Sequence, residues 1–208
     1  MRWNDEGYLI SFVSTKENSS IVKIFTKNYG VFSGSIFGST SKKKKPELQL
    51  GNKIKANYSS KSEDALGYFN TELIENISIR MFSDNKKLNL LLTSIEVISK
   101  VMPERQAYPD AYDDFEMLIQ SLEDDSLKSY LIWEFNFLRS IGYGIDLEDI
   151  NISEKLKKLL TYHNVDFEFS DLKSIYELNT EIISNRLVEI INISNFKNRL
   201  RIRKYLDE

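Results

Sequence analysis

Two hydrophobic periods divide the chain. Up to about residue 80, short runs of β-branched and aromatic residues are separated by turn signals, the pattern of successive strands. Residues 8–13, 21–26 and 31–37 form three such runs. Lys27-Asn28-Tyr29-Gly30 ends the second, and Gly34 and Gly38 punctuate the third. Ile54, Ala56 and Tyr58 then alternate with Lys53, Lys55 and Asn57, so one face is apolar and the other basic. Phe69, Thr71 and Leu73, followed by Ile77 and Ile79, make a fifth run opened by Gly67.

After Ser83 the period becomes helical. Leu88, Leu91, Leu92, Ile95 and Ile98 trace one apolar stripe of an amphipathic helix. Pro103 and Pro109 bracket a connector. Phe115, Leu118, Ile119 and Leu122 mark a second helix. Leu127, Tyr130, Leu131, Phe135, Leu138 and Ile141 mark a third, stopped by Gly142 and Gly144. Ser170 reads as the N-cap of a long helix with the stripe Leu172, Ile175, Tyr176, Ile182, Ile183, Leu187 and Ile190. A last helix covers residues 196–206. Five short strands within about 80 residues predict a small closed barrel, most commonly the five-stranded Greek-key OB-fold. The expected class is therefore α+β with two domains: an OB-fold barrel at residues 1–80 and an all-α domain at 81–208.

Composition narrows the chemistry. The 208 residues include one His and no Cys, with 28 Lys+Arg against 31 Asp+Glu. A disulfide framework, a thiolate zinc site and a cysteine nucleophile are excluded, as is any site with several imidazoles. No apolar run approaches the roughly 18 residues that span a bilayer. Residues 1–6 carry acid where a secretory signal carries a basic region, so the cytoplasm is the expected compartment. No GxxxxGK[ST] loop exists, and Gly30, Gly34 and Gly38 have GxxxG spacing, which in a strand permits barrel curvature or close backbone approach. Asp110, Asp113 and Asp114 are candidates for a hard cation in a metal-dependent phosphodiesterase. Near a helix start, the same acids complement the macrodipole. His163 has no nucleophile elbow to serve. No catalytic residue, metal site or cofactor is expected.

The net charge of −3 conceals an asymmetry. Residues 1–80 hold 12 basic and 8 acidic side chains, net +4, and residues 81–208 are net −7. The sharpest basic segment, residues 41–61, contains Lys42, Lys43, Lys44, Lys45, Lys53, Lys55 and Lys61 against Glu47 alone. Lys42 to Lys45 follow Gly38-Ser39-Thr40-Ser41 and precede Pro46, which reads as a mobile loop. Adjacent ammonium groups repel one another, and a polyanion relieves that repulsion by displacing counterions. With Lys27 in the preceding turn, these side chains suit a phosphate backbone, and Tyr29, Phe32, Phe37 and Tyr58 are available for base stacking or for the core. A second basic run holds Lys197, Arg199, Arg201, Arg203 and Lys204. It can extend a nucleic-acid surface, pair with acids of its own domain or bind an acidic peptide tail.

The order of these motifs resembles the bacterial recombination mediator family RecO. Trp3-x-Asp5-Glu6-Gly7-Tyr8-Leu9-Ile10 is similar to that family's first strand. Ser19-Ser20-Ile21-Val22 through Thr26-x-x-x-Gly30 is similar to its second strand and turn. The strand ending at Gly38, a basic loop, Leu48-Gln49-Leu50-Gly51-Asn52 and Asp64-x-Leu66-Gly67 follow in the family's order. Trp133-Glu134, Leu138, Gly142-Tyr143-Gly144 and Asp146-Leu147 resemble its characteristic helix end. Many members then carry a cysteine cluster able to hold zinc. Here Ile150 stands where its first cysteine would fall, so the zinc module is absent.

The resemblance implies a non-catalytic, cytoplasmic and nucleoid-associated repair protein. Such a protein binds single- and double-stranded DNA and anneals strands. With RecR it helps RecA load on strands coated by single-strand-binding protein, whose acidic C-terminal tail docks on the helical domain. Lys27, Lys42, Lys43, Lys44, Lys45, Lys53 and Lys55 are the DNA-binding candidates, and Arg199, Arg201, Arg203 and Lys204 the partner-binding ones. A protein-interaction adaptor that does not touch DNA is the competing expectation.

Overall fold

Five strands, β1 (Arg2–Ser14), β2 (Ser19–Thr26), β3 (Gly30–Phe37), β4 (Lys53–Ser59) and β5 (Gly67–Glu75), close a barrel in the order β1-β2-β3-β5-β4. The computed structural model describes residues 1–15, 18–124, 126–148, 152–162, 165–187 and 192–207. Asp125, Ile150, His163 and Ile190 lie outside the described residues. Closure depends on β1, whose first half pairs antiparallel with β4 and whose second half pairs with β2. The register shifts between Leu9 and Ser11, the kind of bulge that bends a strand as it changes partner. A parallel pairing of Gly34 with Gly67 and Ser35 with Tyr68 joins β3 to β5. This is the OB-fold order expected from the strand pattern.

The core is built on Trp3. Its ring stacks on Tyr29 at 4.5 Å and on Tyr58 at 5.0 Å, and meets Phe32 and Phe69 edge-on. Leu9, Val22, Ile24, Ile36, Ile54 and Ala56 complete the apolar interior. Of the three regularly spaced glycines, two are places of close approach. A side chain on Gly30 (φ +72°) would collide with the Gln106 carbonyl oxygen, and a Cβ on Gly34 would sit 2.7 Å from the Phe69 ring. Gly38 (φ +73°) makes a turn with open space beside it.

Three local expectations are corrected. The run at Ile77 and Ile79 is not strand but a short helix, α2 (Ile77–Met81), because the Asn76 side chain accepts from the Ile79 N–H. Ile77 and Met81, four apart, are its buried pair. Part of the supposed lysine loop is a helical turn, α1 (Lys44–Glu47), after which Leu48 enters the barrel core. Strand β1 begins six residues before its apolar run, since Asn4 and Glu6 face solvent and the half-buried Asp5, which accepts hydrogen bonds from Asn28, is polar, leaving Trp3 as the one apolar inward signal there.

The chain divides into two compact units, residues 1–112 and 113–208. The first includes α3 (Asn85–Val101), capped by Asp84, whose carboxylate accepts from the Lys86 and Lys87 amides. The strand pattern ends near residue 80, but the apolar stripe of α3 is used against the barrel: Leu91 and Ile95 pack over Gly51. Tyr112 closes the unit with its ring against Tyr8 and Phe25. Helix α4 (Pro109–Ser121) carries the chain across the division.

The second unit contains α5 (Ser126–Ser140), α6 (Glu154–Thr161), α7 (Phe169–Arg186), a 3-10 turn (Ile193–Asn195), α8 (Lys197–Ile202) and a closing 3-10 turn (Arg203–Tyr205). Buried residues occupy almost every turn of α5, as befits a central helix. Helix α6, capped by Ser153, has too short a stripe (Leu156, Leu159, Leu160) to stand out in the sequence. Helix α7 begins at Phe169, not after Ser170: its N-cap is Glu168, two residues earlier, whose amide donates to Asp171 Oδ2 at 2.8 Å. The expected single terminal helix is the pair α8 and 3-10 turn. Among the described residues no helix is long and apolar enough to cross a membrane.

Candidate nucleic-acid interface

The four consecutive lysines do not share one environment. Lys42, Lys43 and Lys45 are exposed at the turn leading into α1. Lys44 instead points back onto the barrel. Its Nζ donates to both Glu47 carboxylate oxygens at 2.8 and 3.0 Å, and to the Thr71 carbonyl and hydroxyl on β5. Glu47 is buried at 5% exposure, and Thr71 hydrogen-bonds it as well. Lys44 therefore anchors the loop while its three neighbours present their charges to solvent. Asn52, fully buried, completes the anchor. Its Nδ2 donates to the carbonyls of Pro46 and Glu47, and its Oδ1 accepts from the Ser78 amide and hydroxyl.

The β4 lysines are less basic in context than their strand suggests. Lys55 is exposed, but the strand register sets Glu6 of β1 on one side of it and Glu72 of β5 on the other. Lys53 is half-buried, 3.8 Å from Glu6 and 5.7 Å above the Tyr8 ring. Lys27 is half-buried in the β2–β3 turn. Lys23, absent from the candidate set, is held by Glu104 at 2.8 Å. Residues 1–112 carry 16 basic and 12 acidic side chains, so the +4 excess of the strand region persists across the whole first unit. Its longest exposed run is the loop Lys42, Lys43, Lys45.

Of the aromatic candidates, Phe32 and Tyr58 belong to the core and Tyr29 is stacked on Trp3. Phe37 is 71% exposed, and beside it stands Tyr68, 49% exposed, which the sequence reading passed over. Strand alternation places Tyr68 opposite in facing to the buried Phe69, a signal that was available.

The C-terminal basic run separates in the same way. Arg199 is completely buried. Its Nε and one terminal nitrogen grip the Glu134 carboxylate at 2.7 and 3.0 Å, its other terminal nitrogen donates to Thr180 Oγ1, and its guanidinium lies 4.6 Å from the Tyr176 ring. Glu134, also fully buried, accepts further bonds from the Tyr130 hydroxyl (2.6 Å) and Asn179 Nδ2 (3.0 Å). Burial, reinforced by the Glu134 charge, pushes the Tyr130 hydroxyl well above its ordinary pKa. Burial alone would lower the Arg199 pKa, but the Glu134 carboxylate outweighs it and the guanidinium stays charged. Arg199 is thus an internal tie of the helical unit and not a surface for partners. Arg201, Arg203 and Lys204 are exposed. Arg203 lines a pocket of about 330 Å³ together with Lys173, Glu177, Glu181 and Asp207. Among the described residues no group of three or more His, Asp or Glu side chains is arranged to hold a metal ion, Asp110, Asp113 and Asp114 included.

These features define an OB-fold protein with a net-basic barrel unit and a separate helical unit held by a buried ion pair. The chain belongs to the RecO family of DNA repair proteins. The family description "Recombination protein O N terminal" matches residues 1–77, and "Recombination protein O C terminal" matches residues 83–163. It is 30% identical over 149 residues to the DNA repair protein RecO of Ruegeria sp. (strain TM1040), covering 71% of this chain and 62% of that protein. It is 32% identical over 149 residues to the DNA repair protein RecO of Caulobacter vibrioides (strain NA1000 / CB15N), covering 71% of this chain and 61% of that protein. The chain thus spans about three fifths of the length of the curated relatives it matches.

Proposed function

We propose that this protein is a non-catalytic DNA-binding mediator of recombinational repair. It binds single- and double-stranded DNA through phosphate contacts and anneals complementary strands. Together with RecR it helps RecA to load onto coated single strands. The observation that carries the reading is the lysine loop: three adjacent ammonium groups, Lys42, Lys43 and Lys45, held out from a net-basic barrel by the buried anchor of Lys44, Glu47 and Asn52. Fixing the loop at its base limits the entropy lost when a polyanion orders it, while the exposed charges supply counterion release. The acidic tail of single-strand-binding protein is assigned to the helical unit, with Arg201, Arg203 and Lys204 as its cationic contacts. No nucleotide, metal or other cofactor enters the activity.

The test compares wild type with the Lys42→Ala/Lys43→Ala/Lys45→Ala variant in salt-titrated strand binding and in annealing. Each phosphate contact on a single strand contributes roughly 0.7 to the slope of log affinity against log salt. The triple variant should therefore flatten that slope by about 2, slow annealing and leave the melting temperature unchanged. Lys44→Ala should do the opposite, lowering the melting temperature with a smaller effect on the slope. An unchanged slope in the triple variant refutes the loop's role.

A second reading, a protein-interaction adaptor, has an observation of its own. Ile79 and Phe82 are 65% and 75% exposed and border an apolar groove of about 600 Å³ with Pro46, Leu50, Leu88 and Leu92. Failure of the wild type to bind any labelled strand at low salt would favour that reading.

A further inference from the structure

The outer face of the barrel carries an apolar row that its folding does not require. Register aligns Val13 of β1 with Ile21 of β2, Ile21 with Ser35 of β3, and Ser35 with Tyr68 of β5. Phe37, two residues along β3 on the same face as Ser35, brings its ring to 6.4 Å from that of Tyr68. Four of these side chains are large and exposed: Val13 at 57%, Ile21 at 37%, Phe37 at 71% and Tyr68 at 49%. The two rings are inclined at 56°, so neither covers the face of the other. A contiguous apolar strip on a barrel whose interior is already filled marks a binding surface.

Its surroundings select the occupant. Phe37 leads through the tight turn at Gly38 into Lys42 and Lys43, both exposed. The β4–β5 loop that leads into Tyr68 carries the exposed Lys61 beside the exposed acids Glu63 and Asp64, and receives a hydrogen bond from Arg105 at the Glu63 carbonyl. The cationic flank is therefore the Lys42–Lys43 side. Aromatic faces with a lysine run on one flank match a chain of alternating flat rings and phosphates. An intact duplex keeps its base faces stacked on one another and offers only phosphates and groove edges. An unpaired strand offers both elements of the match.

We propose that Phe37 and Tyr68, backed by Ile21 and Val13, form a base-stacking platform through which the barrel takes unpaired strands by their bases, while duplex DNA engages the lysines alone. This rests on the nucleic-acid reading above and adds a discrimination that the lysines cannot provide. It also bears on annealing: bases stacked on exposed rings at the barrel surface keep their pairing edges toward solvent, where a complementary strand can reach them.

Three labelled probes of equal length separate the possibilities: a mixed-sequence single strand, an abasic strand and a blunt duplex. Stacking on an aromatic side chain is worth about tenfold in affinity per ring by alanine substitution. Phe37→Ala/Tyr68→Ala should thus weaken the single strand by about a hundredfold. Binding of the abasic strand and duplex should stay within about twofold, and the salt slope should not change. Phe37→Trp/Tyr68→Trp should retain wild-type strand affinity. Phe37→Leu, which keeps apolar bulk without a ring, should behave like Phe37→Ala; this variant guards against any loss of folding. Wild-type affinity for the single strand in the double alanine variant overturns the platform, as does an equal loss on all three probes. Absence of wild-type binding to any probe at low salt overturns the nucleic-acid reading itself, a separate result.

Discussion

Removing the Arg199 guanidinium tests the helical unit at its most exposed energetic point. In Arg199→Ala the Glu134 carboxylate keeps the Tyr130 hydroxyl and Asn179 amide but loses two of its four hydrogen bonds and its counter-charge, at a site with no solvent access. Breaking a buried ion pair from one side costs about 3–5 kcal/mol, because the remaining charge is stranded in a poorly polarisable interior. For a unit of this size that is a fall in melting temperature of roughly 15–30 °C. The assay is thermal and urea unfolding followed by the helical circular-dichroism signal, with Arg201→Ala as the exposed control, which should stay within about 0.5 kcal/mol of wild type.

A further arm makes the reasoning refutable. Replacing both partners with apolar residues (Glu134→Leu/Arg199→Met, with Tyr130→Phe) should recover at least half of the loss, since no unpaired charge remains. A loss below about 1 kcal/mol in Arg199→Ala, or no recovery in the apolar variant, would refute the stranded-charge account.

Three other expectations follow from particular contacts. Asn52→Ala removes four hydrogen bonds joining α1, β4 and α2 and leaves buried carbonyls unpaired, so a loss of about 2–3 kcal/mol is expected. Amide exchange at Ser78 should accelerate, and unchanged exchange would contradict the anchor. Gly67→Ala sets a Cβ about 2.5 Å from Tyr58 Oη, inside the Trp3 stack, and should cost about 1–3 kcal/mol by overpacking. Equal stability in urea would show that the ring moves freely. The Tyr130 hydroxyl has a folded pKa raised above its unfolded value, so its stabilising contribution is complete below about pH 10 and declines as pH rises toward the folded value. Tyrosinate absorbance should show a component that ionises only with unfolding, and Tyr130→Phe should reduce it by one tyrosine.

Alternation and glycine punctuation made the barrel legible, because a strand with one buried face writes that face into every second residue. The beginning of β1 was hidden for the same reason: between Trp3 and Gly7 its residues are polar on both faces, and their pairing with β4 is a long-range event with no local signature. The helical turn at Ile77 was illegible because two isoleucines two apart fit a strand as well as a helix. Only the Asn76 cap distinguishes them.

The site residues teach a sharper lesson about charge. In the lysine run, nothing about Lys44 itself separates it from its neighbours. What does is Glu47, the one acid between residues 41 and 61, three positions on and immediately before the apolar Leu48. In the C-terminal run, Arg199 differs from Arg201 by helical phase: it falls three residues after Phe196 and three before Ile202, both fully buried, whereas Arg201 points to the opposite face. Glu134 has the same anomaly, four residues from both Tyr130 and Leu138 in a helix buried on nearly all sides. A lone acid and a lone base, each in phase with an apolar stripe and carried by different helices, have no stable arrangement apart. Phase, more than the number of charges in a segment, decides whether a basic run faces a partner or the core. By that criterion Lys42, Lys43, Lys45, Arg201, Arg203 and Lys204 remain at the surface, and Lys44 and Arg199 belong to the architecture that presents them.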